Sequence, residues 1–262
     1  LVMDYELLLD KSLQIGHDLL VNGAEISRVD DTLAHIYKAY GIKEINIFTI
    51  TCSIVVTIKT PENKIYTQSI RVFKSTTNLD RVERLNALSR YICKNKPSLE
   101  YVSKQIDKIR KRSMYNDRII CLTYGMIAFT LAIYFSGTFA DAIVAGLIGI
   151  VLKIALNFVS KIDNNAPVIN VLVSFIAGIL AVFAVKFNFG QNLDIIVISN
   201  IMLLIPGVAL TNALRDMIKG DTMSGTNRLI ETILIAAAVS FGFVMATYLG
   251  GTFLWLIWLF KY

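Results

Sequence analysis

The sequence predicts an integral membrane protein, mostly α-helical, with five transmembrane helices preceded by a small cytoplasmic α+β domain. Two composition values point to it: 55% of the 262 residues are hydrophobic and 18% are charged, with a mean hydropathy of +0.57. The third observation is the distribution of charge, because residues 1–117 hold 32 charged side chains and the other 145 residues hold only 14. Soluble domains average about 25% charged residues, so the carboxyl-terminal part has the composition of a chain embedded in lipid.

Residues 1–113 have the patterns of the α+β domain. Apolar residues at helical spacing predict helices at 4–23, about 25–40, about 78–95 and about 98–113. Between the second and third helices, residues 44–73 alternate in polarity and are rich in β-branched side chains. This predicts a small antiparallel sheet of about three strands. Gly23 and Gly41 are expected just after the first two helices, and Ser98 is the expected N-cap of the fourth.

Five apolar segments follow in residues 114–262, each close to the roughly 20 residues that a helix needs to cross a bilayer. They cover residues 119–136, 139–160, 166–186, 194–214 and 228–249. Helices satisfy their own backbone groups in lipid, so five spans are the simplest interpretation. The short tail 252–260 is apolar and set apart by Gly250 and Gly251. Its Trp255 and Trp258, with Tyr262, predict an interfacial anchor.

Lys and Arg are concentrated just before the first apolar segment. They are Lys104, Lys108, Arg110, Lys111, Arg112 and Arg118. Positive residues favour the cytoplasmic side, which predicts a cell-membrane protein with its amino terminus inside and its carboxyl terminus outside. The net charge of +6 is therefore interpreted as favouring contact with the lipid bilayer and not the binding of nucleic acid. Cys52, Cys93 and Cys121 are far apart, so neither a disulfide framework nor a metal site is expected, and no cofactor is predicted.

Pro206 and Gly207 interrupt the fourth apolar segment and are the first candidates for binding a solute. Proline removes a backbone donor and breaks a helix. Discontinuous helices of this kind recur in secondary transporters, where the free helix ends face the solute. A structural kink without a binding role is the alternative. Asn212 follows the break closely and is the next candidate for solute binding.

Arg215 and Asp216 lie at the predicted cytoplasmic end of the same segment. Asp216 is a candidate for binding a coupling proton, and Arg215 is a candidate for gating. The alternative is an ion pair at the surface, in which Asp216 would pair with Arg215 or Lys219. Asp141, at the start of the second span, is a further candidate for proton coupling.

Lys153 lies near the middle of the second span, and Asn157 follows one turn later. An ammonium group in a bilayer normally faces the protein interior or an aqueous cavity, so Lys153 is a candidate for attracting a carboxylate solute. The alternative is that Lys153 extends its ammonium group to the cytoplasmic surface and does not bind a solute. Asn157 is included with it as a candidate for solute binding.

The amino-terminal domain also carries polar residues, among them Glu25 with Arg28 and Asp31 with His35. None of them belongs to a metalloprotease, nucleophile-elbow or phosphate-loop motif. The chain is therefore not predicted to be an enzyme, and these residues are expected to be structural or solvated.

Two blocks of residues resemble the threonine/serine exporter family. Gly23, Ala24, Glu25, Arg28, Val29 and Thr32, followed by Gly41 and a β-rich stretch, are similar to its cytoplasmic domain. The late block is similar to the family's motif near the end of the membrane part. It comprises Pro206, Gly207, Asn212, Arg215, Asp216, Gly220, Asp221, Ser224, Gly225 and Arg228.

The resemblance implies a secondary exporter of threonine and serine. With five predicted spans where longer members have about ten, the chain resembles the larger component of the split, YjjP-like branch, which exports succinate together with a small membrane subunit. The expected partners are thus a small carboxylate metabolite and a small membrane subunit, and the chain is also expected to form a homo-oligomer. The alternative function is a membrane-anchored sensor whose cytoplasmic domain binds a small metabolite.

Overall fold

The computed structural model describes residues 4–73, 75–112, 115–163 and 165–259, with side chains as far as residue 251. The chain forms two compact units. The first contains Leu1–Ser113 and Gly207–Ile230, and the second contains Met114–Pro206 and Glu231–Tyr262. The sequence analysis places residues 207–230 in the membrane domain, whereas the structure groups them with the amino-terminal residues.

The first unit consists of helices around a small sheet. In its amino-terminal part the elements are α1 (Tyr5–Val21), α2 (Ile26–Ala39), β1 (Glu44–Ile50), β2 (Ser53–Lys59), β3 (Ile65–Arg71), α3 (Leu79–Asn95) and α4 (Leu99–Lys111). Its later part contains α9 (Gly207–Ile218) and the first turns of α10 (Thr222–Leu259). The expected three-stranded sheet is present. Ser98 is confirmed as an N-cap, since its hydroxyl accepts a hydrogen bond from the Tyr101 amide.

The sheet is antiparallel with the order β1-β2-β3. Ile54, Val56 and Ile58 of the central strand are fully buried and join the apolar core formed with the helices. Successive side chains of a strand point to opposite faces, so the alternation in β2 places one face on the core. This is the pattern that the sequence shows.

An ion pair joins the first and fourth helices of this unit. The guanidinium of Arg110 donates to both carboxylate oxygens of Asp18, at 2.6 and 2.9 Å. Burial opposes ionisation of Asp18, but hydrogen bonds from His17 and Arg110 outweigh it and lower its pKa. Two parallel hydrogen bonds fix both distance and orientation, so the pair sets how α4 lies on α1.

The second unit is helical in its described part. It contains α5 (Asp117–Tyr134), α6 (Phe139–Val159), α7 (Ala166–Lys186), α8 (Leu193–Leu204) and the later part of α10. Among the described residues, four helices are long and apolar enough to cross a membrane, or five if the bent pair α8 and α9 is one span. Gly178 of α7 and Ala246 of α10 face each other so closely that a Cβ on the glycine would lie 2.5 Å from the alanine Cβ. Small residues thus allow these two helices to pack tightly.

Two details differ from the predicted spans. The fourth segment is not continuous, since α8 ends at Leu204 and α9 begins at Gly207. Helix α10 runs through Gly250 and Gly251 to Leu259, so the prediction that these glycines set the tail apart is wrong. Glycine lowers helix propensity by only about 1 kcal/mol, which is too little to end a long apolar helix. The expected anchor residues Trp255, Trp258 and Tyr262 lie outside the described side chains.

Candidate functional site

The turn between α1 and α2 is the centre of a polar cluster in the first unit. Gly23 in this turn has a φ of +90°, in the left-handed region that only glycine adopts freely. A Cβ at this position would also lie 3.1 Å from the Thr76 carbonyl oxygen. Glycine is therefore required here for two reasons, and the turn leads directly into Ile26, the first residue of α2.

Asp216 of α9 supplies an acidic cap to α2. Its side chain is fully buried, and Oδ1 accepts a hydrogen bond from the Ile26 backbone amide at 3.1 Å. Glu25 occupies the N-cap position of α2 but makes no side-chain cap bond. The first amides of a helix lack partners within the helix and carry partial positive charge. The carboxylate of Asp216 therefore caps the first amides of α2, which the side chain of the neighbouring Glu25 does not do.

Arg228 and Asn212 bind the same turn through its carbonyl groups. Arg228 Nη2 donates to the Ala24 carbonyl at 2.8 Å, and Asn212 Nδ2 donates to the Gly23 carbonyl at 2.8 Å. Arg228 Nη1 also lies 3.4 Å from Asp216 Oδ2. Asp216 thus pairs with Arg228 and is buried, so the alternative of a surface ion pair with Arg215 or Lys219 is wrong.

Arg215 and Lys219 instead contact Glu25, whose side chain is only 7% exposed. Glu25 accepts hydrogen bonds from Arg215 and from Arg28, the latter at 3.2 Å. Lys219 Nζ lies 3.8 Å from the other carboxylate oxygen and donates to Ser27 Oγ at 2.8 Å. Burial opposes ionisation, yet the bonds from Arg28 and Arg215 hold the pKa of Glu25 below its usual value.

The start of α10 packs against α9 through a second glycine, Gly225. A Cβ on Gly225 would lie 2.7 Å from the Ala213 carbonyl oxygen and 2.5 Å from Met217 Cγ. No larger residue fits without moving the backbone, so this close approach fixes how the start of α10 lies on α9. We call the residues that meet at the α1–α2 turn the motif cluster: Gly23, Ala24, Glu25, Asn212, Arg215, Asp216 and Arg228.

A half-buried carboxyl group adjoins this region. The pKa of Asp30 is raised to about 6 by burial and by the nearby carboxylates of Asp221 and Asp31. Asp30 Oδ1 has no hydrogen-bond partner among the described residues. Asp30 is thus a group of this unit that takes up a proton near neutral pH.

Two adjoining cavities open beside the motif cluster. One of about 410 Å³ has Asn212 and Arg215 in its wall, and one of about 630 Å³ extends to Asp31 and His35. Glu25, Arg28, Asn86 and Arg90 line both. Sites for small ligands have volumes of about 300–1,000 Å³, so either cavity has the size of such a site. In the described part of the chain, no group of three or more His, Cys, Asp or Glu residues could hold a metal ion.

Asp141 in the second unit lies at the start of α6 and is also fully buried. Its carboxylate accepts hydrogen bonds from the backbone amides of Thr138, Gln191 and Asn192 and from the Thr138 and Asn192 side chains. The Thr138 hydroxyl in turn accepts from the Asp141 amide, which completes a capping box. These are the contacts of a structural cap, and the role of Asp141 in proton coupling stays a prediction.

Of the remaining candidates, Lys153, Asn157 and Pro206 belong to the second unit, and Gly207 belongs to the first. Lys153 Nζ lies 5.5 Å from the centroid of the Tyr124 ring, a cation–π contact between α6 and α5. Asn157 is half-buried on the same helix, and the Ser160 hydroxyl donates to its carbonyl. Pro206 stands at the interruption between α8 and α9. A Cβ on Gly207 would meet nothing within 4 Å.

The structure thus brings together six residues that the sequence analysis names separately: Gly23, Glu25, Arg28, Asn212, Arg215 and Asp216. It adds three contacts that the sequence analysis does not assign, namely the Ala24 carbonyl, the Ile26 amide and Arg228. The contacts of the two backbone groups could not be predicted from the sequence, because no side chain of a particular type marks them. The sequence analysis names Arg228 in the late block but not its pairing with Asp216, which could have been inferred because a buried carboxylate requires a partner.

The chain is similar in sequence to proteins described as exporters. The family model ThrE, described as "Putative threonine/serine exporter", matches residues 10–250. A threonine/serine exporter of Corynebacterium glutamicum is 25% identical over 240 residues, which cover 87% of this chain and 48% of that protein. A protein of Mycobacterium tuberculosis named "Probable threonine/serine exporter" is 22% identical over 244 residues, covering 91% of this chain and 45% of that protein. The chain therefore spans about half the length of these curated relatives. No solved structure matches.

Proposed function

Because the chain belongs to the threonine/serine exporter family, we propose that it is a component of a secondary-active exporter for small carboxylate-bearing metabolites. Threonine and serine are the first candidate solutes, and a C4-dicarboxylate such as succinate is the second. Membership of a family of exporters supports a transporter and not an enzyme. The candidate membrane spans support a multi-pass membrane protein.

The observation that carries the proposal is the interrupted helix between α8 and α9. Helix α8 ends at Leu204 and α9 begins at Gly207, so the last carbonyls of one and the first amides of the other have no partners within their helices. Transporters use such ends to bind ions and solutes. In the proposed exporter, the interruption at Pro206 and Gly207 lines the route, together with Asn212. Lys153 attracts the carboxylate with Asn157 beside it.

Asp216 is the proposed proton-coupling residue. It joins a backbone amide of α2 to the guanidinium of Arg228, so its protonation would remove the charge that both contacts use. That change would loosen α9 at the turn it binds, while Arg215 would keep its contact with Glu25. Asp141, which accepts hydrogen bonds from the Thr138, Gln191 and Asn192 amides, is the second proposed candidate for proton coupling.

The proposed exporter includes a small membrane partner subunit, and a homo-oligomer of this chain is also proposed. The partner is proposed from the resemblance to the split branch of the family. Orientation follows the distribution of Lys and Arg, with the amino terminus proposed in the cytoplasm. Co-purification of the chain with a small membrane protein would test the partner directly.

Transport is tested by flux into vesicles that hold the chain with its partner, using radiolabelled threonine, serine and succinate under an imposed proton gradient. Pro206→Ala restores a backbone donor and is expected to reduce the initial rate at least about tenfold. Gly207→Ala is expected to reduce it less. Gly251→Ala is the matched control for Gly207→Ala, because a Cβ at Gly207 or at Gly251 would meet nothing within 4 Å. The control should leave the initial rate unchanged. Normal flux in a correctly inserted Pro206→Ala protein would contradict the proposed route.

A further inference from the structure

The groove between α2 and α3 in the first unit is lined by polar side chains from both helices. On α2, Arg28, Thr32 and His35 follow one another at spacings of three or four residues. On α3, Asn86, Arg90 and Lys94 do the same, so each set occupies one helix face. All six line the cavity of about 630 Å³. Paired helices normally fill such a groove with apolar side chains, whereas here it is open and polar. We call it the α2–α3 cleft.

Charged groups in the α2–α3 cleft fall into two classes. Glu25 already binds Arg28, Arg215 and Lys219. Arg90, Lys94 and Asp31 are exposed, and their side chains make no hydrogen bond or ion pair with any residue that the structure describes. Cations and a carboxylate are thus available in one cavity. This combination suits a ligand that carries both signs of charge.

We propose that the α2–α3 cleft binds a small zwitterionic amino acid. The planar guanidinium of Arg90 receives the ligand carboxylate through two parallel hydrogen bonds, a geometry that arginine favours. Lys94, one turn further along α3, adds a second positive charge. Asp31 across the groove on α2 receives the ligand ammonium group, and the Asn86 amide offers a neutral hydrogen bond.

The same charges argue against other small anions. The second carboxylate of a dicarboxylate would face Asp31, and like charges in a partly desolvated site repel each other. Inorganic phosphate would use the two cations but would gain nothing from Asp31. The proposal concerns equilibrium binding to the first unit, and it holds whether or not the chain moves a solute across a membrane.

The test is equilibrium binding of radiolabelled L-threonine to the purified full chain in lipid nanodiscs, with succinate and phosphate as competitors. Arg90→Ala is expected to raise the Kd for threonine about tenfold or more. Asp31→Asn should raise the Kd for threonine by a similar factor and lower the Kd for succinate, because it removes the repulsion. The matched control is Lys38→Ala, an exposed cation on α2 that lines neither cavity.

Four results would overturn the proposal: no binding of threonine, tighter binding of succinate or phosphate than of threonine, equal binding by Arg90→Ala, or an equal loss in Lys38→Ala. Loss of threonine binding in Arg90→Ala and Asp31→Asn, with unchanged binding in Lys38→Ala, would assign the binding to this cleft and not to the proposed transport route. Thermal melting of each variant checks that the exposed substitutions leave the fold intact.

Discussion

Among the residues that the structure describes, Asp141 and Asp216 are fully buried aspartates, one in each unit, and they are stabilised in different ways. Asp141 accepts hydrogen bonds only from uncharged groups, three backbone amides and two side chains. Asp216 has one backbone amide and a cation, Arg228. The carboxylate of Asp141 is thus held by several hydrogen bonds from neutral donors. That of Asp216 depends on one amide hydrogen bond and one ion pair.

This difference between the partners of Asp141 and Asp216 indicates at which aspartate a loss of charge can change the packing of helices without unfolding the chain. The partners of Asp141 lie in one capping box and in residues 191–192, all of which belong to the second unit. Asp216 instead connects residues about 190 positions apart in the sequence. Loss of the Asp141 cap should therefore damage the fold, whereas loss of charge at Asp216 should separate α9 from α2 while the two units remain folded.

The largest effect is expected for Asp141→Ala. It leaves three partly buried backbone amides without this acceptor, at a cost of about 1–3 kcal/mol each, so the free energy of unfolding should fall by about 3–5 kcal/mol. Thermal melting in detergent measures this loss. Asp194→Ala is the control, because Asp194 lies exposed in the first turn of α8 and should contribute less than about 1 kcal/mol. Equal melting temperatures for the two variants would contradict the role of Asp141.

A smaller effect is expected at Asp216. Asp216→Asn keeps an acceptor for the Ile26 amide but leaves Arg228 without this charge, which should cost about 2–3 kcal/mol. The double variant Asp216→Asn with Arg228→Gln should be less destabilised than the sum of the single variants, by about 1–3 kcal/mol. Denaturant melts of the four proteins measure this coupling. Strict additivity would show that the two side chains do not interact.

The smallest effect is expected at Asp30 and depends on pH. Because the pKa of Asp30 is about 6 in the folded chain and near 3.9 when unfolded, the folded state binds the extra proton. Stability from this group is present below about pH 4 and is lost as the pH rises through 6. Asp30→Asn should therefore be more stable than the unmodified chain at pH 7.5 by about 1–2 kcal/mol, after allowing for partial exposure.

Melting temperatures of both proteins between pH 4 and 8 test the prediction for Asp30. The gap between the two curves should close at the acidic end of this range. A gap that stays constant with pH would contradict it.

Local patterns were sufficient to predict most of the first unit. The helices, the three-stranded sheet, the N-cap Ser98 and the glycines after α1 and α2 all follow from periodicity and turn chemistry, which act over a few residues. The apolar segments likewise predicted α5, α6 and α7 closely. Family resemblance identified the two blocks of residues that form the motif cluster.

What the sequence could not predict is the meeting of those two blocks. The bonds from Asn212 and Asp216 to the α1–α2 turn join residues 189 and 190 positions apart, and one end of each bond is a backbone group. Hydropathy also assigned residues 207–214 to a membrane span. Their position with the first unit depends on polar contacts that a hydropathy average does not detect.

The most direct test of the central claim, that the early and late blocks form one cluster, is cross-linking within a single chain. In a full-length chain with Cys52, Cys93 and Cys121 replaced by serine, Ser27→Cys and Lys219→Cys place thiols on two residues whose native side chains are joined by a hydrogen bond of 2.8 Å from Lys219 Nζ to Ser27 Oγ. A short bismaleimide should link them within one molecule in native membranes, as mass spectrometry of the joined peptides would show. Single-cysteine variants serve as controls. Links found only between molecules, or only after denaturation, would contradict the cluster.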